Sequence, residues 1–337
     1  MRGEGHATMM RAMQGTDTKP RVFDRATHRR HRDRAAHGFA DHDFLVQRAA
    51  TDIAGRIAGI NRDFDVAADI GCHRGALAHA LAGETLPAGK IGTLVSTDLS
   101  AAMLAHAPGP RVVADEEILP FANRSLALAA SILSLHWVND LPGTLIQLRR
   151  ALKPDGLFIA AFLGGETLTE LRQSLADAEI EMEGGLSPRV SPFADLRDIG
   201  ALLQRAGFAL PVTDTDRVTV RYADPFRLMA DLRGMGETNA LSERRRTPAR
   251  RQTLLRAAEI YRETFGLPDG RIPATFDIVT ATGWAPHDSQ QKPLRPGSAK
   301  GRLADALGTH ERPAGERADE PVDEPVDEPV DEKAGKP

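Results

Sequence analysis

The sequence predicts an α/β fold with a parallel sheet covered by helices on both faces. Two observations carry this expectation. From Phe44 onward, short apolar runs alternate with segments of helical period, and such alternation brings parallel strands together under their connecting helices. The first apolar run is also followed directly by the glycine-bearing turn Asp69-Ile-Gly-Cys-His-Arg-Gly75, which opens the next helix. A strand–turn–helix unit of this kind presents free backbone N–H groups to a ligand.

The elements follow in order. Phe44, Leu45, Ala49, Ile53, Ile57 and Ile60 recur at helical spacing and predict an amphipathic helix ending near Asn61. Val66–Ile70 is a short buried strand, Ala76–Ala82 a helix, and Ile91–Thr97 a second strand. Ser100 is an N-cap for a helix over Ala101–Ala107. Arg111–Ala114 and Leu126–Leu133 are the third and fourth strands, and Leu141–Leu152 is helical. Lys153-Pro-Asp-Gly156 is a turn leading into a fifth strand, Leu157–Leu163. Thr167–Glu183 and Pro192–Ala206 are helices, the second stopped by Gly207. Arg217–Tyr222 alternates as an exposed-edge strand does. Helices over Pro225–Arg233 and Arg250–Phe265 and a last strand, Ala274–Ala281, complete the pattern.

Composition limits the function classes. Hydrophobic residues at 41% and charged residues at 27% are the balance of an ordinary globular protein. No uninterrupted apolar run is long enough to span a bilayer, so no integral membrane segment is expected. A net charge of -4 provides no overall attraction to nucleic acid. The single cysteine, Cys72, excludes an internal disulfide and a cysteine-cluster zinc site. The charge distribution divides the chain into a basic lead-in over 1–43, read as an amphipathic helix, a folded domain over 44–285, and a disordered acidic tail over 286–337. That tail carries Asp-Glu-Pro-Val three times between Asp319 and Val330, and proline at this spacing prevents a continuous helix. Arginine outnumbers lysine, which is compatible with a GC-rich bacterial genome and a cytoplasmic location; the basic N-terminus leaves the mitochondrial matrix open.

The chemistry resides in the turns after the strands. Gly71 and Gly75 let the backbone approach a ligand and adopt positive φ. Asp98, ending the second strand, is placed to accept hydrogen bonds from two ribose hydroxyls. Asp115 and Glu116, after the third strand, can accept from an adenine amino group. A bound adenosine is therefore expected, although each acid taken alone reads as a cap or a solvated loop residue.

The motifs Asp69–Gly75, Thr97-Asp-Leu-Ser100, Ala114-Asp-Glu-Glu-Ile-Leu-Pro-Phe121 and Leu152-Lys-Pro-Asp-Gly156 occur in the order seen in class I S-adenosylmethionine-dependent methyltransferases, which the chain resembles from Phe44 to Trp284. The resemblance implies a Rossmann-like, seven-stranded mixed sheet with helices on both faces, and S-adenosyl-L-methionine as cofactor. Asp69, Gly71 and Gly75 would line the methionine part, Asp98 would hold the ribose, and Asp115 with Glu116 would flank the adenine; His73, Leu99 and Ser134 are further cofactor-binding candidates. Val22-Phe-Asp-Arg25, Ser134-Leu-His-Trp-Val-Asn-Asp-Leu-Pro142, Gly164-Gly-Glu-Thr-Leu168, Ser187–Phe193, Gly234-Met-Gly-Glu237 and Pro273–Phe276 resemble the complex I assembly factor family with a methyltransferase fold. That family is described as hydroxylating a protein arginine, so the resemblance implies an S-adenosylmethionine-dependent methyltransferase that modifies a protein arginine during complex I assembly, with methylation and hydroxylation as competing reactions. Thr167-Leu-Thr-Glu-Leu-Arg172 is more distantly similar to the malonyl-carrier-protein methyltransferases of biotin synthesis. The partner implied is a protein, either a complex I subunit or a carrier protein; a non-catalytic assembly chaperone is the third reading. One departure stands out: both families usually have glycine where this chain has His73, and a β-carbon at a left-handed position costs about 1–2 kcal/mol.

His136 is the candidate catalytic residue, as a general base or a neutral wall of the pocket. Trp137 either faces a sulfonium cation or packs the helix Leu141–Leu152 on the sheet. His31 and Asp33 have a spacing found in iron-binding triads, but their arginine-rich setting favours coincidence, and no metal is expected. Cys72 is expected to pack behind the glycine turn, and Glu243–Arg251 to be a solvated helix start.

Overall fold

The computed structural model describes residues 21–291 and Gly308. Seven strands run through it: β1 (Phe64–Ile70), β2 (Ile91–Asp98), β3 (Arg111–Val113), β4 (Leu126–Ile132), β5 (Leu152–Gly164), β6 (Ala209–Tyr222) and β7 (Ile272–Trp284). They form one sheet in the order β3-β2-β1-β4-β5-β7-β6. The first five pair in parallel, and β7 lies antiparallel to both β5 and β6. The expected α/β, mixed seven-stranded, Rossmann-like sheet is therefore present.

Side-chain alternation explains the layering. In β5, Leu157, Ile159, Ala161 and Leu163 enter one hydrophobic core, and Phe158, Ala160 and Phe162 enter a second. Successive strand residues point to opposite faces, so a strand buried on both sides must be apolar throughout. The first core is closed by α2 (Phe44–Gly59), α3 (Ala76–Gly83), α6 (Thr169–Glu183) and α9 (Arg251–Phe265). The second is closed by α5 (Leu141–Ala151) and α7 (Leu196–Ala206). Each fully buried Leu or Phe in these layers contributes about 1.5–3 kcal/mol.

Several expectations are corrected. The helix expected to run to Ala107 is a single turn, α4 (Ala101–Leu104), with the Ser100 hydroxyl capping Met103 N. The helix expected from Pro192 starts at Leu196, because proline and its neighbours hold that segment extended. Lys153–Gly156 is a register shift within β5, with Asp155 at φ 62. The arginines of 243–250 precede α9 as an irregular loop: Arg244 binds Asp24 and Arg245 binds Glu183. The edge strand β6 is longer than Arg217–Tyr222, since the β6–β7 ladder runs from Ala209 to Tyr222.

The largest correction concerns the lead-in over 1–43. From Arg25 it is part of the folded unit. Helix α1 (Arg25–Ala35) is capped by Asp24, whose side chain accepts from Thr27 N. It packs against α4 and against α8 (Pro225–Gly234), with Thr27, His28, Arg32 and Ala35 buried. A basic composition concealed this, because the inward stripe of α1 is polar. The Asp319–Val330 repeat and most of the expected tail lie outside the described residues.

Candidate cofactor site

The carboxyl ends of the adjacent parallel strands β1, β2 and β4 meet at the glycine turn. Gly71 has φ +68, and a β-carbon there would lie 2.0 Å from Ser134 Oγ and 3.1 Å from Glu116 Oε1. Gly75 has φ +82, and its β-carbon would meet Pro108 Cδ at 2.6 Å. Both positions therefore require glycine on conformational and steric grounds together. Between them, His73 takes the left-handed conformation, φ 52, that the sequence placed at issue.

The imidazole of His73 is held firmly. It stacks on Phe39 at 5.3 Å between centroids, and Nε2 lies 2.8 Å from the carbonyl oxygen of Ile132. Burial first, and the charge of Arg32 second, push its pKa down to about 3. The ring is thus neutral near pH 7, with Nε2–H as donor and Nδ1 as an acceptor. Nδ1 has no partner.

Asp69, ending β1, is fully buried, and neither carboxyl oxygen has a partner. Desolvation, with the Asp98 charge behind it, pushes its pKa up to about 8. A buried carboxyl left this way is anomalous for a finished interior.

Asp98, by contrast, is saturated. Arg32 donates through Nε to Oδ1 at 3.2 Å and through Nη2 to Oδ2. The backbone N–H of His73 donates to Oδ2 at 2.9 Å and that of Ser100 to Oδ1 at 2.8 Å. Both side chains of this ion pair are wholly excluded from solvent. One heptad earlier on α1, Arg25 donates to Asp115 at 2.7 Å and to Glu116, which also accepts from Ser134 Oγ at 2.9 Å. Leu99 is half-buried beside Asp98. The expected site residues are thus gathered in one place, with two arginines from the lead-in lodged among their acids.

A neighbouring cluster surrounds His136 and Trp137. The His136 side chain is buried, its Nε2 lying 3.3 Å from Glu237 Oε2, and its Nδ1 has no partner. Trp137 Nε1 donates to the same oxygen at 2.9 Å. The indole stacks on His28 at 4.6 Å and meets Phe23 edge-on at 5.1 Å. Trp137 therefore anchors α1 and the loop at Ala240 and Leu241 rather than α5. His28 is completely buried, and neither ring nitrogen has a partner.

The remaining candidates disperse. His31 Nδ1 contacts the Thr238 carbonyl oxygen, whereas Asp33 accepts from Ser100 Oγ, so they share no centre. Cys72 packs with Leu104 and Ala107, and burial pushes its thiol pKa far up, which leaves no nucleophile. Sequence reasoning missed Arg25, His28, Arg32 and Glu237. The one available signal was spacing: Arg25, His28 and Arg32 fall at i, i+3 and i+7, one face of a helix.

An adenosine-bearing cofactor fits this frame in three respects. The Gly71 cradle admits no side chain, the Asp69 carboxyl and His73 Nδ1 lack partners, and acids stand at the ends of β2 and β3. Free lone pairs on Asp98 require Arg32 to withdraw. Strand order, glycine turn and acids together define a protein of the class I methyltransferase fold. Residues 68–160 match the family described as a methyltransferase domain, and a methyltransferase structure from Bacillus halodurans shares the fold, with a TM-score of 0.50 at 15% identity over 70% of this chain and 99% of its own. The mitochondrial arginine-hydroxylase NDUFAF5 of Danio rerio is 43% identical over 286 residues, covering 84% of this chain and 89% of that protein. Its Mus musculus counterpart is 46% identical over 292 residues, covering 84% and 83%. A malonyl-[acyl-carrier protein] O-methyltransferase of Halorhodospira halophila is 37% identical over 205 residues, covering 58% and 68%. The chain belongs to the NDUFAF5 arginine-hydroxylase family.

Proposed function

We propose that this chain is an S-adenosylmethionine-dependent enzyme that modifies an arginine side chain of a protein, by hydroxylation, during assembly of respiratory complex I. The observation that supports cofactor binding is the Gly71 cradle beside the partnerless Asp69 carboxyl. Asp69, Gly71, His73, Gly75 and Ser134 would hold the methionine part, Asp98 with Leu99 the ribose, and Asp115 with Glu116 the adenine. When bound, the cofactor supplies a sulfonium centre. Hydroxylation would additionally need dioxygen and a two-electron donor, one oxygen atom entering the substrate bond to hydrogen and the other leaving as water with two protons; side chains supply neither. The arginine substrate is supported by the relatives' name, arginine-hydroxylase. Their name also carries the word mitochondrial, which favours the matrix over the cytoplasm. His136 stands as the candidate general base, since its free Nδ1 faces no protein partner.

Mass spectrometry of the complex I subunits from a strain lacking this chain tests the reaction. Loss of one oxygen atom from an arginine-containing peptide is the expected result. Loss of one methylene would identify methyl transfer, and an unchanged arginine would remove the proposal. An His136→Ala variant with full turnover on that subunit would remove the base.

A second reading is favoured by the Arg32–Asp98 pair: a non-catalytic assembly factor whose ribose carboxylate stays closed. Calorimetric titration with S-adenosylmethionine separates the two. Heat of saturable binding supports the enzyme, and its absence supports the closed factor. The carrier-protein alternative predicts that the deletion strain requires biotin.

A further inference from the structure

Glu237 is positioned by the way α8 stops. Gly236 takes φ +82, and the N–H of Glu237 reaches back to the carbonyl oxygen of Leu232 at 2.9 Å. This is the six-to-one bond of a glycine-terminated helix, and it turns the Glu237 side chain toward Trp137 and His136. Oε2 is fixed there by Trp137 Nε1 and His136 Nε2. Oε1 has no hydrogen-bond partner among the described residues, and Glu237 lines a cleft of about 550 Å³.

Apolar side chains line that cleft together with Glu237, among them Leu163, Leu168, Phe193 and Leu232. Arg189, Arg244 and Arg245 also line it, but each is bound to an acid of its own, Glu179, Asp24 and Glu183. The fourth cation, Arg233, is exposed. Glu237 is thus the carboxylate left with an open oxygen. Burial alone would push its pKa up, but the hydrogen bond from His136 and the nearby charge of Arg32 outweigh burial and hold it below the ordinary value. The group at the end of this apolar cleft is an anion.

We propose that Glu237 is the guanidinium-binding group of the substrate subsite, receiving an arginine whose methylenes lie along Leu163, Leu168, Phe193 and Leu232. The proposal rests on the arginine reading above and gives it a location. A guanidinium presents several N–H donors in one plane, suited to an open carboxylate oxygen, while its three-carbon stem matches apolar walls. The partnerless Nδ1 of His136, on the ring that fixes Oε2, is then available to the same side chain.

The test is calorimetric titration of the full chain with three probes: Nα-acetyl-arginine amide, the citrulline amide and the lysine amide. Citrulline keeps the shape and removes the charge. The arginine probe is expected to bind, and citrulline to bind at least about tenfold more weakly. Glu237→Gln should weaken the arginine probe by a similar factor while leaving citrulline unchanged. If Glu237→Gln does not fold by thermal unfolding, Glu237→Asp, which keeps the charge but withdraws it by one methylene, is read instead, and the same selective weakening is expected. Equal binding of the arginine probe to wild type and variant overturns the subsite and leaves the arginine reading intact. Failure of wild type to prefer arginine over citrulline or lysine also overturns it. The deletion-strain mass measurement judges the arginine reading independently of either result.

Discussion

At the scale of single residues, Asp69 and His73 give the folded state opposite responses to pH. The folded pKa of Asp69, about 8, lies above its ordinary 3.8, so the folded chain keeps a proton that the unfolded chain releases. Its contribution is complete below pH 3.8 and is lost as pH climbs toward 8, at ~1.4 kcal/mol per pH unit. His73 is pushed the other way, from 6.5 to about 3. Its contribution is complete above pH 6.5 and is lost as pH falls toward 3. Of this pair, only Asp69 still slopes between pH 6.5 and 8. Asp69→Asn is therefore expected to flatten the fall of unfolding free energy across that interval, measured by urea titration at several pH values; an unchanged slope would show that another group titrates there. Arg32 gives a second prediction. Arg32→Leu strands the buried Asp98 carboxylate and should lower stability by about 3–5 kcal/mol. Because ribose hydroxyls can then reach Asp98 without competition, the rise in Tm on adding S-adenosylmethionine should be larger for the variant than for wild type. An equal rise would mean that Arg32 does not compete with the cofactor.

At the scale of elements, α1 carries the two arginines that bind the acids. Its N-cap, Asp24, accepts from Thr27 Oγ1, from Thr27 N and from Arg244, which holds its carboxyl far below the usual range. Asp24→Ala should cost about 1 kcal/mol. The expected reading is faster amide exchange confined to residues 25–35, with the β1–β4 amides unchanged, and tighter cofactor binding. Exchange that accelerates throughout the sheet would show that α1 belongs to the global folding unit. The elements also show what could be read beforehand. β1, β4 and β5 were legible because strands buried on both faces are nearly all apolar, and Gly207 was legible as a helix stop because it needs positive φ. A basic amphipathic helix was legible in the lead-in, but the docking of α1 was not, because its buried face carries Arg25, His28 and Arg32, whose partners lie 66 to 112 residues away in sequence. Glu237 was hidden for the same reason: a motif shows its glycine, not the cleft into which the next side chain turns.

At the scale of the whole molecule, the two cores hold the sheet as a fixed frame, and the polar chemistry is collected at one end of it. The motifs from Val22–Arg25, Ser134–Pro142 and Gly234–Glu237 are remote in sequence, yet Phe23, Trp137 and Glu237 form consecutive contacts. Helix α1 is tied to both groups: Arg25 and Arg32 bind the acids after β3 and at the end of β2, and His28 stacks on Trp137, which donates to Glu237. The burial of its main ion pair has an electrolyte consequence. Arg48–Asp216 and Arg56–Asp214 are substantially exposed and weaken as ions are added, whereas Arg32–Asp98 lies beyond the reach of the ionic atmosphere. Raising sodium chloride should therefore erode the surface pairs and leave the closure of α1 over Asp98 intact. Cofactor affinity measured across a salt series is expected to stay level, and a marked salt dependence would place the controlling charge outside the buried pair.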